Sequence, residues 1–338
     1  MTYKVALNFE DGVTRVIDVD EDEKVTDAAF QQKINLPMDC RDGVCGTCKC
    51  RCEEGEYELE FYMDEAMTED EAEDRYVLTC QMTVQSDCVI SVPASSSVCK
   101  TAAEAVGGEI TAVEKLSETA FGLKVRMDKA MSFLPGQYVN ITVPGTDAHR
   151  SYSFSSAPGA EEGTFLIRNM PGGLMSGYLA RAKPGDRVDL TGPMGAFYLR
   201  PITRPQLWLA GGTGLAPFLA MLEQASTSGS DHPITLYYAV TRAADLVELE
   251  RVQDLAGKIG DVTVVTILAA ADEDHERKGF VTDHVTAEEL NGGDVDVYLC
   301  GPPPMVEAVR QHFNTLGVQP ASFLFEKFNP TEAPAEAA

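Results

Sequence analysis

Positive charge is scarce in this sequence. Its 338 residues hold 27 Lys and Arg against 53 Asp and Glu, a formal net charge of −26. That shortage argues against nucleic-acid binding, which needs a basic surface to displace counterions. It argues equally against docking on an anionic membrane. Long apolar runs are missing too. The most apolar stretch, residues 207–222, is too short for a bilayer and is broken by Gly211, Gly212, Gly214 and Pro217. The opening MTYKVALNFEDG lacks the charged lead and apolar core of a secretory signal, so a cytoplasmic location is expected. No internal repeat is visible. The paired C-x2-C knuckles of a structural zinc site are absent as well, since only Cys45 and Cys48 have that spacing. The acidity itself reads as plain solubility or as steering toward a basic protein partner.

Cysteine is present, and it is bunched. Of nine cysteines, five lie between Cys40 and Cys52. In a cytosolic chain such crowding favours a metal site over a disulfide framework. Cys40, Cys45 and Cys48 form C-x4-C-x2-C, and Cys80 follows 32 positions after Cys48. This is the spacing of a plant-type [2Fe–2S] cluster. Two bridged irons need four thiolates, and one tight loop supplies only three. Gly43 and Gly46 let that loop curl so that backbone N–H groups face the sulfurs. Zinc is the competing reading, but Cys80 has no second cysteine beside it. Cys50 and Cys52 alternate along a strand leaving the loop and read as packing thiols.

Three textures divide the chain. Residues 1–93 carry 23 acidic and 8 basic side chains, a net charge of −15. Runs 3–9 and 13–19 flank Asp11-Gly12 as a hairpin, and 25–34 has helical periodicity. These features predict a compact α+β ferredoxin domain of the β-grasp kind. Residues 94–108 are small and polar and read as a linker. Residues 109–204 hold short strand-like runs (109–113, 123–127, 138–143, 164–168, 187–191) separated by turns, which predicts an antiparallel β-barrel. In 205–328 strands at 206–210, 234–240, 262–268, 295–300 and 321–325 alternate with helices at 216–225, 246–256, 287–290 and 305–316. That alternation predicts a doubly wound parallel sheet. Residues 329–338 read as a disordered tail.

A one-electron cluster and a two-electron hydride donor cannot exchange electrons directly, so a flavin site is sought between them. In Arg150-Ser151-Tyr152-Ser153 the arginine can clamp a phosphate, the tyrosine can stack on an isoalloxazine, and the serine offers donors near the ring. Further on, Gly172-Gly173-Leu174-Met175-Ser176 precedes a helical stretch at 176–182 and makes an anion nest. Gly211-Gly212-Thr213-Gly214 follows a strand and opens a helix, so its backbone can approach a pyrophosphate. Cys300-Gly301-Pro302 ends a later strand and faces the same crevice; a buried strand-end thiol is the competing reading of Cys300.

Taken together, PMDCRDGVCGTC, RSYSFSS, LAGGTGLAPFLAML, NGGDVDVYLCGPPPMVEAV and LFEKF resemble the ferredoxin–NADP reductase superfamily. More narrowly they resemble the reductase components of bacterial aromatic-ring dioxygenases that carry an N-terminal ferredoxin domain. The resemblance covers nearly the whole chain. It implies cluster ligation by Cys40, Cys45, Cys48 and Cys80. It implies FAD held by Arg150, Tyr152, Ser153, Gly173, Met175 and Ser176, and a dinucleotide held by Gly212, Thr213 and Gly214. Cys300 and Gly301 would lie near the nicotinamide, and Glu326, Lys327 and Phe328 near the flavin. Ser153, Cys300 and Phe328 would then serve hydride transfer. The implied path runs from NADH to FAD to [2Fe–2S] to the Rieske cluster of a benzoate-, anthranilate- or toluate-type oxygenase. Arg242 would accept the 2′-phosphate of NADPH, whereas Asp245 would bind the ribose diol of NADH; the resemblance favours NADH. Two other functions remain open: the reductase of a methane- or phenol-type di-iron monooxygenase, and a non-enzymatic [2Fe–2S] carrier or redox sensor.

Overall fold

The computed structural model describes residues 1–38, 41–44, 46–64, 66–100 and 103–328. The expected ligands Cys40 and Cys45 and the expected disordered tail, 329–338, therefore lie outside the described residues. Two compact units divide the chain: Met1–Ala103 with Met194–Ala196, and Glu104–Pro193 with Phe197–Ala338. Among the described residues no helix is long and apolar enough to cross a membrane.

The first unit begins with the expected hairpin, β1 (Thr2–Phe9) and β2 (Thr14–Asp20). Alternation puts Val5, Leu7, Phe9, Ile17 and Val19 inward. Helix α1 (Val25–Gln31) buries Val25, Ala28 and Ala29 against the same core. Then come β3 (Lys49–Glu54), β4 (Tyr57–Leu59), α2 (Glu69–Glu73), β5 (Tyr76–Leu78), β6 (Met82–Val84) and β7 (Cys88–Val92). Thr68 and Glu71 start α2 with a capping box. The main sheet has the order β2-β1-β7-β3-β5, with β1 and β7 parallel. It is the mixed sheet with a packed helix expected of the ferredoxin domain.

The second unit opens with β8 (Glu104–Lys115), β9 (Ala120–Met127), β10 (Tyr138–Thr142), β11 (His149–Ser153), β12 (Glu162–Arg168), α3 (Leu174–Leu179) and β13 (Arg187–Met194). The sheet order is β11-β10-β13-β8-β9-β12, and a bridge from Phe154 to Phe165 brings its two ends together. The barrel's core includes Phe133 stacked on Phe154 at 3.8 Å between centroids. Two expectations are corrected here. Residues 104–108, read as the end of a linker, are the start of β8, where Gly107 and Gly108 pair with Asp189 and Val188. The helix after the double glycine spans Leu174–Leu179 rather than 176–182.

The same unit continues with β14 (Gln206–Gly211), α4 (Leu215–Ser228), β15 (Ile234–Val240), α5 (Leu249–Ile259), β16 (Val262–Leu268), β17 (Asp296–Gly301), α6 (Pro303–Leu316) and β18 (Ser322–Lys327). All five strands are parallel, in the order β16-β15-β14-β17-β18. Trp208, Leu236 and Tyr238 pack with α4 and α5, while Leu207, Leu209 and Tyr237 pack with α6. Helices thus cover both faces, and strand order reverses between β14 and β17. The helix expected at 287–290 is not formed. Glu289 accepts the Thr286 N–H at 2.8 Å as a helix start would, but Asn291, Gly292 and Gly293 all have positive φ and end it within one turn.

Candidate functional site

In the first unit the loop that holds Cys48 turns through Gly43 (φ +73°) and Gly46 (φ +75°). A Cβ on Gly43 would overlap the carbonyl oxygen of Phe61, and one on Gly46 would lie 2.9 Å from that of Ala66. The loop is therefore seated on the segment beneath it, and Met63 N–H donates to the Gly43 carbonyl at 3.1 Å. Cys80 reaches the same place from between β5 and β6. Thr79 N–H and its hydroxyl both donate to the Cys48 carbonyl, at 3.2 and 3.3 Å. The Gln81 amide donates to the Arg41 carbonyl at 2.9 Å. Cys48 and Cys80 are both buried, neither forms a disulfide, and their Sγ atoms are 3.3 Å apart. That exceeds an S–S bond of about 2.05 Å yet brings two soft thiols to one point, as a cluster site would require. Cys50 and Cys52 are buried in the domain core. Burial pushes the Cys50 thiol up. Cys52 is lowered by a bond from the Cys88 thiol and by the Arg75 guanidinium 3.5 Å away.

In the second unit Arg150, Tyr152 and Ser153 all lie on β11. Arg150 and Tyr152 share a partly exposed face, and burial raises the Tyr152 phenol. Ser153, at the end of the strand, is buried, and its hydroxyl donates to Glu326 Oε2 at 3.0 Å. Ser176, in the first turn of α3, accepts through its Oγ the N–H of Met170 in the preceding loop at 2.8 Å. Gly173 is the N-cap of α3, and the Met175 side chain is buried in the barrel core. The Met175 side chain is therefore committed to the core, and only its backbone could serve the expected ligand.

Backbone meets backbone at the reversal of strand order. Gly212, Thr213 and Gly214 form a 3-10 turn after β14. A Cβ on Gly214 would lie 2.7 Å from the carbonyl carbon of Cys300, and one on Gly211 would lie 2.5 Å from Met305 Sδ. The turn after β14 is thus pressed onto the turn after β17, at the carboxyl ends of both strands, the usual ligand position in such sheets. Cys300 pairs in register with Glu326 and Gly301 with Lys327. Burial, and secondly the charge of Glu326, raise the Cys300 thiol well above its ordinary range. Phe328 N–H donates to the Gly301 carbonyl at 3.0 Å.

One corner therefore gathers Ser153, Gly214, Cys300, Gly301, Glu326 and Phe328 from both domains of this unit. Asp245 stands beyond the end of β15, taking the Thr119 hydroxyl at 2.5 Å and the Arg242 N–H at 3.2 Å. Three contacting residues gave no sequence signal. Arg251 donates to the Ser155 carbonyl and pairs with Glu223 at 2.6 Å, and Glu223 accepts the Ala157 N–H at 2.6 Å. With Thr119, these side chains tie the barrel to the parallel-sheet domain across separations of 66 to 126 positions.

Family models match along the chain. A 2Fe-2S iron-sulfur cluster binding domain covers residues 8–85, an oxidoreductase FAD-binding domain 108–198, and an oxidoreductase NAD-binding domain 208–311. The chain is 54% identical to the toluate 1,2-dioxygenase electron transfer component of Pseudomonas putida, over 97% of this chain and 99% of that one. It is 46% identical to the 2-halobenzoate 1,2-dioxygenase electron transfer component of Burkholderia cepacia, over 98% and 99%. Among solved structures, an Amycolatopsis cytochrome P450 reductase superposes with a TM-score of 0.71 at 27% identity, covering 96% of this chain and 99% of that one.

Proposed function

The chain belongs to the family of dioxygenase electron transfer components built from [2Fe–2S], FAD and NAD domains, and from that premise we propose that it carries electrons from NADH, through FAD and the cluster, to the Rieske oxygenase of a benzoate-type 1,2-dioxygenase working in the cytoplasm. The observation that carries the reading is the Ser153–Glu326 bond, 3.0 Å long, which joins the flavin-domain strand to the strand beside Cys300. A bound flavin supplies the exchange between a hydride pair and single electrons. The residues around it do positioning work. Gly212, Thr213 and Gly214 bring the dinucleotide backbone close, because no bulky side chain intervenes. Ser153 holds a hydroxyl proton toward Glu326, the buried Cys300 thiol excludes water, and the bond from Phe328 N–H to Gly301 fixes the aromatic ring's backbone. Arg150 and the loop N–H groups before α3 would hold the FAD phosphates, and Tyr152 would supply an aromatic face for the flavin. Cys48 and Cys80, with Cys40 and Cys45, hold the cluster.

The dioxygenase relatives favour this reading over the di-iron monooxygenase, and the FAD and NAD domain matches weigh against a cluster-only carrier. The purified protein is expected to show flavin and cluster absorbance, to bleach with NADH, and to drive a Rieske benzoate-type oxygenase with a rate that falls as salt rises. No bleaching, or turnover with a di-iron oxygenase alone, would reject it. Within the site, Ser153→Ala is expected to slow flavin reduction by NADH about tenfold through the lost bond. NADH affinity should change little, as stopped-flow titration would report; a change confined to affinity would remove Ser153 from hydride transfer.

A further inference from the structure

Arg242 follows β15, the strand next to the pressed turn, where the adenosine half of a dinucleotide lies in sheets of this kind. An arginine able to swing there would take a 2′-phosphate bidentately. In this chain it is held. Its Nη1 lies 3.0 Å from Glu273 Oε1 and 3.5 Å from Asp272 Oδ2. Glu273 is itself fixed, for its other oxygen accepts the Ala243 N–H at 2.6 Å. The Asp245 carboxylate takes the Arg242 backbone N–H and the Thr119 hydroxyl. The guanidinium thus faces two carboxylates, which leaves that cluster with one net negative charge, while a third carboxylate, Asp245, holds the backbone of the same residue.

We infer that Asp272 and Glu273 determine coenzyme specificity by holding Arg242 away from the ribose 2′ position, so that the site selects NADH over NADPH. A ribose diol can donate to Asp245 without disturbing the clamp. A 2′-phosphate must pull Arg242 from Glu273 and approach carboxylates that are then unpaired. Exposed ion pairs are individually weak, so the device acts on the charge of the ligand rather than on stability. The inference rests on the reading of this domain as the NADH site.

The test compares the full-length, flavin-loaded protein with its Asp272→Asn/Glu273→Gln variant. The amide introduced by Glu273→Gln keeps an oxygen for the Ala243 N–H, so the turn survives while the charge goes. The double variant is expected to bind NADP+ at least about tenfold more tightly relative to NAD+ in calorimetric titration. The ratio of kcat/KM for NADPH over NADH, with ferricyanide as acceptor, should rise in parallel. Adding Arg242→Ala to that variant should abolish the gain, because the freed guanidinium is what receives the phosphate. An unmoved ratio in a flavin-loaded double variant, or a gain that survives loss of Arg242, overturns the clamp while leaving the NADH site intact. Wild-type protein that binds neither nucleotide overturns both readings.

Discussion

Full-length protein carrying Cys80→Ser is expected to lose the cluster's visible absorbance and at least about a hundredfold of its NADH-driven reduction of a Rieske acceptor. Ferricyanide reduction, which can draw electrons directly from a flavin, should continue near the wild-type rate. The asymmetry follows from the architecture. Cys80 meets Cys48 inside the first unit, with 3.3 Å between sulfurs, whereas Ser153, Cys300 and Glu326, the residues proposed to serve hydride transfer, lie wholly in the second. A hard serine oxygen in place of a soft thiolate weakens the ligand set without touching β11, β14 or β17. Iron and sulfide analysis beside the two assays checks the result. Equal loss with both acceptors would show that Cys80 supports the whole molecule and would remove it as a ligand.

Gly214→Val should produce the opposite pattern. Cluster and flavin stay bound, yet NADH reduces the flavin at least about a hundredfold more slowly, the scale of a misplacement near 1 Å. The cause is a collision with backbone, which cannot rotate away as a side chain can. A Cβ at 214 falls 2.7 Å from the Cys300 carbonyl carbon and 3.1 Å from Gly301 Cα. The turns after β14 and β17 must separate, and overpacking of that kind costs about 1–3 kcal/mol or more. Dithionite should still reduce both centres, which distinguishes a damaged nicotinamide site from a damaged chain. Gly214→Ala should lie between the two. A wild-type rate of flavin reduction in Gly214→Val would place the dinucleotide elsewhere.

The parts of this fold that were legible are those whose physics imposes spacing. The C-x4-C-x2-C run with a distant fourth cysteine foretold that Cys48 and Cys80 would meet, and a parallel sheet covered on both faces fixes the alternation of apolar strand and amphipathic helix. The strand bounds 234–240 and 262–268 coincide with β15 and β16 for that reason. Where one residue type serves two ends, reading fails. Gly107 and Gly108 look like linker, yet a Cβ on Gly108 would lie 2.5 Å from Val125 Cγ1, so glycine is there because β8 is crowded by its neighbour. Thr286 and Glu289 form a true helix-start pair, but the positive φ angles that follow are set by the tertiary path and leave no periodic trace. Thr119, Glu223, Arg251, Asp272 and Glu273 were silent because a surface ion pair or hydrogen bond between distant residues constrains neither spacing nor hydrophobicity. Glu326 came into view only through the resemblance of LFEKF to the strand end of a known family; the bond to Ser153 gives it a physical reason.

The place of Glu326 also bears on how the protein is made. Ser153 leaves the ribosome 173 residues before its acceptor. During synthesis the barrel can close through the Phe154–Phe165 bridge while β18 is still untranslated. A nascent or truncated chain lacking that strand would therefore own a flavin-domain strand with its serine unanswered, and the edge of the parallel sheet would stand open beside Cys300. The corner around Ser153 and Cys300 is completed by β18, so a chain not yet extended to that strand lacks the partner of both.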